Sequence, residues 1–320
     1  MISNTKKNVI DLFLLKNNKD LINVELVFSK FLKKLFKNKS KNFYKKIQCA
    51  CGSKNILKKI NIEFFEYRQC VCRTFYVNPM IKDSTLDLIY SNKGPYALYR
   101  KKFIENKSKK NLRMNKINKR KVKQVLKVLK NKNKKLLDFG CGDGGFLKVC
   151  KKYGIKNLSG VDTKYSSQEK FNNMSFFHSL NDLNKNNKFD CITLWGVLEH
   201  LNEPIKFLKL IKAFLKRGGH IILEVPNSDS FLMHYAVNHQ KKLNRFLEPG
   251  RHLYFFSKKF LEILANKLNM KLIDFETNGL DLQTIIGPSN KKITKSILEN
   301  QENLDLMKMS DHLRFVIQKK

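Results

Sequence analysis

The 320-residue sequence predicts a doubly wound α/β fold, with a seven-stranded, mostly parallel sheet preceded by a small Cys-rich β module and flanking helices. Three observations carry that expectation. From Lys135 onward, strand-like runs alternate with helical stretches of roughly 10–15 residues, the rhythm of a parallel sheet covered on both faces. A glycine-rich turn joins the first of those strands to the first of those helices. Upstream, residues 47–80 gather Cys49, Cys51, Cys70 and Cys72 within short strand-like runs.

The elements follow in order. Residues 1–46 are rich in Lys and Asn, and Leu21, Val24, Val27, Phe28, Phe31, Leu32 and Leu35 recur at amphipathic spacing, so this extension reads as a pair of packed helices. After the Cys module, 81–134 is a basic helical connector ending in one helix with Val122, Val125, Leu126 and Leu129 on a single face. In 135–320, KKLLDFG is a buried strand, and GGFLKVCKKYG is a helix with Phe146, Leu147, Val149, Cys150 and Tyr153 on one side. NLSGVDT, MSFFHSL and FDCITLW are the second, third and fourth strands. Asn202 and Pro204 start a helix through Leu215 that Gly218 and Gly219 stop. HIILEVPN is the fifth strand, Ser257 caps the helix in SKKFLEILANKLN, KLIDFET is the sixth strand and HLRFVIQKK the seventh.

Composition narrows the function. Hydrophobic residues make up 42% and aromatics 11%, enough for a sizeable core. Lys and Arg number 64 against 27 Asp and Glu, a formal net charge of +37, yet only nine of the 64 are Arg. Arg is the residue suited to bidentate recognition of phosphate and guanine. The surplus therefore reads as a solvated basic surface, and a dedicated nucleic-acid role is not favoured. No apolar run approaches the roughly 18–20 residues of a membrane helix. Asp11 and Lys16 break the N-terminal apolar stretch, so no secretory signal is expected. The seven Cys are odd in number and lack the spacing of a disulfide framework, which points to a reducing, cytoplasmic compartment.

The densest signal is Leu136-Leu137-Asp138-Phe139-Gly140-Cys141-Gly142-Asp143-Gly144-Gly145. A strand enters a tight turn where Gly permits positive φ and close approach to a ligand, and the turn opens a helix whose free N–H groups face that ligand. Glycines alone would also suit a dinucleotide. Asp138, at the end of the strand, would repel a pyrophosphate and attract an ammonium group. Asp162 closes the second strand in Gly-Val-Asp, placed to accept both hydroxyls of a ribose. A cofactor with a cationic amino acid at one end, a ribose at the other and no phosphate fits both carboxylates; S-adenosylmethionine is such a molecule.

At this point the chain resembles the class I S-adenosylmethionine-dependent methyltransferases. Phe189 to Pro204, FDCITLWGVLEHLNEP, is similar to that family's fourth-strand motif in the branch of the ubiquinone-type O-methyltransferases. LKRGGH through Pro226-Asn227 and His252-Leu253-Tyr254-Phe255-Phe256-Ser257 resemble its later motifs, so the likeness spans about 135–275. It implies that Asp138, Gly140 and Gly142 hold the methionine end, that Asp162 binds the ribose, and that Trp195 touches the methionine or sulfonium part. Leu180 and Asn181 become candidates for the adenine edge. Glu199, His200 and His252 would lie on the acceptor face as base or acceptor-binding groups; the plain alternative has Glu199 and His200 bracing the next helix. The chain lacks the Asn/Asp-Pro-Pro-Tyr/Phe turn of base and glutamine N-methylating enzymes, and none of Pro204, Pro226 and Pro249 precedes a Cys. A small-molecule acceptor is expected: a sugar, glycan precursor or quinone-like phenol, methylated on oxygen or carbon. An RNA methyltransferase and a non-catalytic scaffold are the alternatives. The sequence leaves the oligomeric state open.

Cys49-Ala50-Cys51-Gly52-Ser53 and Cys70-Val71-Cys72 approach the spacing of a four-Cys zinc ribbon. The ribbon that precedes some methyltransferase domains uses C-x-x-C twice, whereas this chain has C-x-C twice, a spacing expected to strain a tetrahedral knuckle. Structural zinc on Cys49, Cys51, Cys70 and Cys72 is the leading reading, ahead of a degenerate ribbon with free thiols and of a redox role.

Overall fold

The computed structural model describes residues 18–37, 44–104, 106, 113–163, 169–171, 173–239, 247–286 and 294–320. The first of the two helices expected in 1–46 lies outside the described residues. Helix α1 (Asn18–Phe36) buries Val24, Phe28, Leu32 and Phe36, one per turn along a single stripe. Strands β1 (Tyr44–Lys45), β2 (Ile56–Ile62), β3 (Phe65–Cys70), β4 (Phe75–Val77) and β5 (Met80–Ile81) make up the Cys module. The connector is more structured than the sequence suggests. It contains helices α2 (Asp83–Tyr90) and α3 (Pro95–Tyr99) and two π-helical turns ahead of α4 (Lys119–Leu129). Tyr90, Tyr96 and Tyr99 supply the packing of this segment: Tyr90 meets Tyr96 edge-on and Tyr96 stacks on Tyr99.

The large sheet uses β6 (Lys135–Phe139), β7 (Asn157–Val161), β8 (Glu169–Phe171), β9 (Met174–Phe177), β10 (Phe189–Trp195), β11 (Leu215–Pro226), β13 (Met270–Asn278) and β14 (His312–Lys319), in the order β13-β14-β11-β10-β6-β7-β9-β8. The seven predicted strands are all present, and the short β8 adds an antiparallel edge beside β9. Strand β14 runs antiparallel to both neighbours, while β10, β6, β7 and β9 are mutually parallel. Residues Phe189 to Leu194 are buried without a break, as a parallel strand with both faces covered requires. Helices α5 (Gly145–Lys152), α6 (Pro204–Ala213), α7 (Phe231–Asn238), α8 (Lys258–Lys267), α9 (Asp281–Ile286) and α10 (Lys295–Leu306) complete the set. Helix α6 ends at Ala213, before the glycines expected to stop it. Gly218 and Gly219 sit instead inside β11, where the pairing with β10 jumps from Phe189–Leu215 to Cys191–His220. Gly218 has φ of +71°, and the irregular turn there absorbs the extra residues.

Strand β12 (Tyr254–Phe255) stays outside the large sheet and pairs with β4, giving a second sheet of order β12-β4-β3-β2. The Cys module is therefore built into the body of the protein. Its Phe65, Tyr67 and Met80 share one apolar core with Ile192, Leu223 and Phe260.

Candidate active site

The C-terminal ends of β10, β6, β7 and β9 lie side by side, where ligands bind in open α/β sheets. After β6, Gly140 and Cys141 both donate backbone N–H groups to the Val161 carbonyl, folding the glycine loop against β7. Gly140 has φ of +72°, and a Cβ there would stand 2.6 Å from Val197 Cγ2. Gly142 has φ of +55°, but a Cβ there would meet no atom within 4 Å, so its backbone faces open space. The Gly142 N–H donates to Asp162 Oδ2 at 2.8 Å, which pins the loop to the end of β7. Asp138 lies beneath the loop, 2% exposed, with Oδ1 accepting from the Thr193 hydroxyl at 2.7 Å. Burial raises its carboxyl to about 7, against the opposing effects of Thr193 and Lys121. Leu180 and Asn181 occupy a 3₁₀ turn just past β9, held by Ser179 and Asp182 in a capping box. Leu180 is half-buried and Asn181 exposed.

Past β10 the chain opens a cavity of about 440 Å³, lined by Trp195, Glu199, His200 and His252 among others and walled by Tyr96 and Tyr99 from α3. The Trp195 ring meets Phe146 edge-on, with Lys121 Nζ 4.8 Å and the Arg314 guanidinium 5.3 Å from its centroid. Its indole N–H is buried without a protein partner. Burial would raise Glu224, but Lys121 at 3.0 Å and Arg314, both bonded to it, hold it low. Further round the wall, Glu199 is 4% exposed and burial raises its carboxyl to about 8. Burial and the Arg251 charge lower His200 to about 4, and burial lowers His252 as well. At neutral pH this corner therefore holds two neutral imidazoles beside a largely protonated carboxyl. The ligand atoms of Glu199, His200 and His252 lie within 4.8 Å of one another, close enough to hold a divalent cation between them.

In the Cys module, Cys49 Sγ lies 3.6 Å from Cys72 Sγ and Cys51 Sγ lies 3.4 Å from Cys70 Sγ, with all four sulfurs within 4.8 Å. A tetrahedron of ~2.3 Å Zn–S bonds has edges of about 3.8 Å. The C-x-C pairs approach that shape because the sulfurs pair crosswise between the two segments. Gly52, at φ of +94°, turns the knuckle, and the Ser53 N–H donates to Cys51 Sγ at 3.3 Å. The Cys49 thiol, hydrogen-bonded to Cys72 Sγ, holds the Cys72 thiol below its ordinary value, which favours the thiolate a metal needs. The donor set fits zinc.

A family model described as "Methyltransferase domain" matches residues 111–274, just over half of the chain. The chain belongs to the methyltransferase domain family. The methyltransferase is similar to a tRNA U34 carboxymethyltransferase from Campylobacter fetus, 27% identical over 184 residues that cover 51% of this chain and 65% of that relative. It is also similar to a ubiquinone biosynthesis O-methyltransferase from Coxiella burnetii, 25% identical over 169 residues that cover 49% of this chain and 72% of that relative. The chain thus spans slightly under two thirds of the first of these and more of the second. Among solved structures, an S-adenosylmethionine-dependent methyltransferase from Archaeoglobus fulgidus is 21% identical, with a TM-score of 0.47 over 70% of this chain and 99% of that one. No helix among the described residues is long and apolar enough to cross a membrane.

The structure gathers the expected residues of the methyltransferase into two neighbouring places. Gly140, Gly142 and Asp162 form the loop, with Asp138 beneath it and Leu180 and Asn181 beyond it. Trp195, Glu199, His200 and His252 line the cavity. Sequence reasoning missed Lys121, Tyr90, Tyr96, Arg251 and the Glu224–Arg314 pair. Only the aromatic crowding of Tyr90, Tyr96 and Tyr99 in an otherwise basic segment could have flagged any of them.

Proposed function

We propose that the protein transfers a methyl group from S-adenosylmethionine to an oxygen or carbon atom of a small molecule, of the sugar, glycan-precursor or phenol-like kind. The observation that carries this reading is the cavity beside Trp195, which sets an acceptor-sized space lined by two neutral imidazoles just past the end of β10. When bound, the cofactor supplies an activated methyl on a sulfonium, so the protein's task is alignment and removal of one proton. Asp162 would bind the ribose hydroxyls, and Leu180 and Asn181 would flank the adenine. Asp138 and Lys121 present opposite charges toward the zwitterionic methionine end. Trp195 would pack on the methionine part. Tyr96, whose buried phenol also feels the Asp162 charge, stands between loop and cavity. In this reading 135–320 is the catalytic domain, the described parts of 1–46 and 81–134 pack beside it, and 47–80 holds structural zinc.

The test is transfer of labelled methyl to nucleotide sugars, phenols and tRNA offered side by side. Label on a small molecule is expected. Label on tRNA alone would replace this reading with the one favoured by the name of the Campylobacter fetus relative. A second result concerns pH. A cation bound beside Asp138 requires its carboxylate, while the free protein protonates it below about 7. Cofactor affinity measured by calorimetry is therefore expected to fall as pH drops, by up to about tenfold per unit below that value. Asp138→Asn should flatten the profile; an unchanged slope in that variant would assign it to another group.

A further inference from the structure

The proposed reaction leaves three candidates for the proton acceptor, and the hydrogen bonds around His200 separate them. His200 Nδ1 lies 2.8 Å from the Arg251 carbonyl oxygen and 2.9 Å from the Tyr90 hydroxyl. A carbonyl only accepts, so a bare nitrogen lone pair at that distance would face it repulsively. Nδ1 must carry the hydrogen. The Tyr90 hydroxyl, 3.4 Å from the same carbonyl, donates to it and completes the arrangement. The lone pair of the neutral ring is then on Nε2, on a side chain that lines the cavity and 3.8 Å from Glu199 Oε1, beyond hydrogen-bonding reach. His252 differs: its Nδ1 is sealed from solvent with no partner, and its Nε2 stands 3.6 Å from Glu248.

Resting on the methyl-transfer reading, we propose that Tyr90 and the Arg251 carbonyl are positioning groups that fix His200 as the Nδ1–H tautomer, leaving Nε2 as the base for the acceptor. Helix α2 is splinted to the loop after β10 at both ends. Asn202 Nδ2 donates to Asp83 Oδ1 at 2.6 Å near the start of the helix, and Tyr90 holds His200 at its last residue. The connector ahead of the catalytic domain thereby sets the chemistry. In the step, the acceptor oxygen forms its bond to the methyl carbon while its proton moves to Nε2 and the carbon–sulfur bond breaks. The electron pair of that bond stays on sulfur, cancelling its charge. The imidazolium keeps its Nδ1–H on the Arg251 carbonyl and later gives the new proton to water. The titratable and charged groups facing His200 are Glu199, Tyr90, His252, Arg251 and Glu248.

Long-range proton–nitrogen NMR of ¹⁵N-histidine-labelled full-length protein reads the tautomer without any turnover, with His200 assigned through His200→Gln. A protonated Nδ1 and bare Nε2 are expected, with Tyr90→Phe giving a mixed tautomer population. In turnover, Tyr90→Phe should lose about tenfold in kcat with the KM for S-adenosylmethionine unchanged, and His200→Gln about 10²–10⁴-fold. Thermal unfolding and cofactor quenching of Trp195 check that both variants are folded. Nε2–H in the wild-type protein, or full kcat in Tyr90→Phe, overturns the positioning role while leaving methyl transfer intact. The expected tautomer in a wild-type protein that methylates no acceptor overturns the proposed function, and the base assignment with it.

Discussion

Replacing Asp162 with Ala should weaken S-adenosylmethionine binding by roughly 30- to 1,000-fold. The side chain has two tasks. Oδ2 accepts the Gly142 N–H at 2.8 Å, which holds the left-handed turn of the glycine loop against β7. In the proposed complex the same carboxylate accepts the ribose hydroxyls. Hydrogen bonds to a charged group contribute about 1.5–3 kcal/mol each, and removing the carboxylate also removes the bond that ties the Gly142 N–H to the end of β7. A combined loss of about 2–4 kcal/mol converts to the stated range. Asp162→Asn separates the tasks, because the amide oxygen still receives Gly142 while its N–H₂ cannot accept from a ribose. That variant should fall between wild type and Ala. The lone Trp195 reports binding by fluorescence, with calorimetry as an independent reading. Wild-type affinity in Asp162→Ala would place the ribose elsewhere and undo the cofactor geometry proposed above.

What could be read in the sequence was local. The β6–loop–α5 unit announces itself because strand, glycines and helix start are contiguous, and the Gly positions have few alternatives once a backbone must approach a ligand. Glu199 and His200 are legible for the same reason: they follow β10 directly. Long-range partners carry no such mark. Lys121 sits in a helix with six other basic residues on or just beyond it, and nothing in KRKVKQVLKVLKNK singles out the one that bonds Glu224. That pair exists only because α4 packs on the central strand β10 and brings Lys121 over Trp195. Likewise, Tyr90 and Arg251 meet at His200 from chain positions far apart on either side of it.

The Cys pairs show a second kind of limit. Judged by spacing, C-x-C strains a knuckle built from one segment at a time. Folded, each pair splits its sulfurs between two partners, one in the turn ahead of β2 and one at or just past the end of β3, so the tight spacing within a segment no longer sets the edge of the tetrahedron. Strand β12 was hidden for a related reason. HLYFFS reads as the approach to helix α8, and its edge finds a partner only when β4 is brought alongside.

That shared sheet makes the Cys quartet the other place where a small change should have a large effect. The double variant Cys49→Ser, Cys72→Ser should lose bound zinc and at least about 4 kcal/mol of stability, seen as a fall of roughly 10 °C in Tm. The consequence for function follows from what the module grips. The Cys72 carbonyl accepts the Ser257 hydroxyl, the Val77 N–H donates to the Leu253 carbonyl at 3.0 Å, and the Tyr67 hydroxyl donates to the His252 carbonyl at 2.9 Å. Loosening β3 and β4 therefore releases the segment carrying Arg251 and His252, and with it the carbonyl that orients His200. The glycine loop is held by Val161 and Asp162 instead and makes none of these contacts. The expected signature is asymmetric: cofactor affinity within about threefold of wild type, and acceptor turnover down by 10²-fold or more. Metal analysis, calorimetry and labelled-methyl transfer on one preparation read all three quantities. Equal losses in cofactor binding and turnover would mean that the module merely stabilises the whole fold. Unchanged turnover in metal-free protein would show that the acceptor wall stands without it.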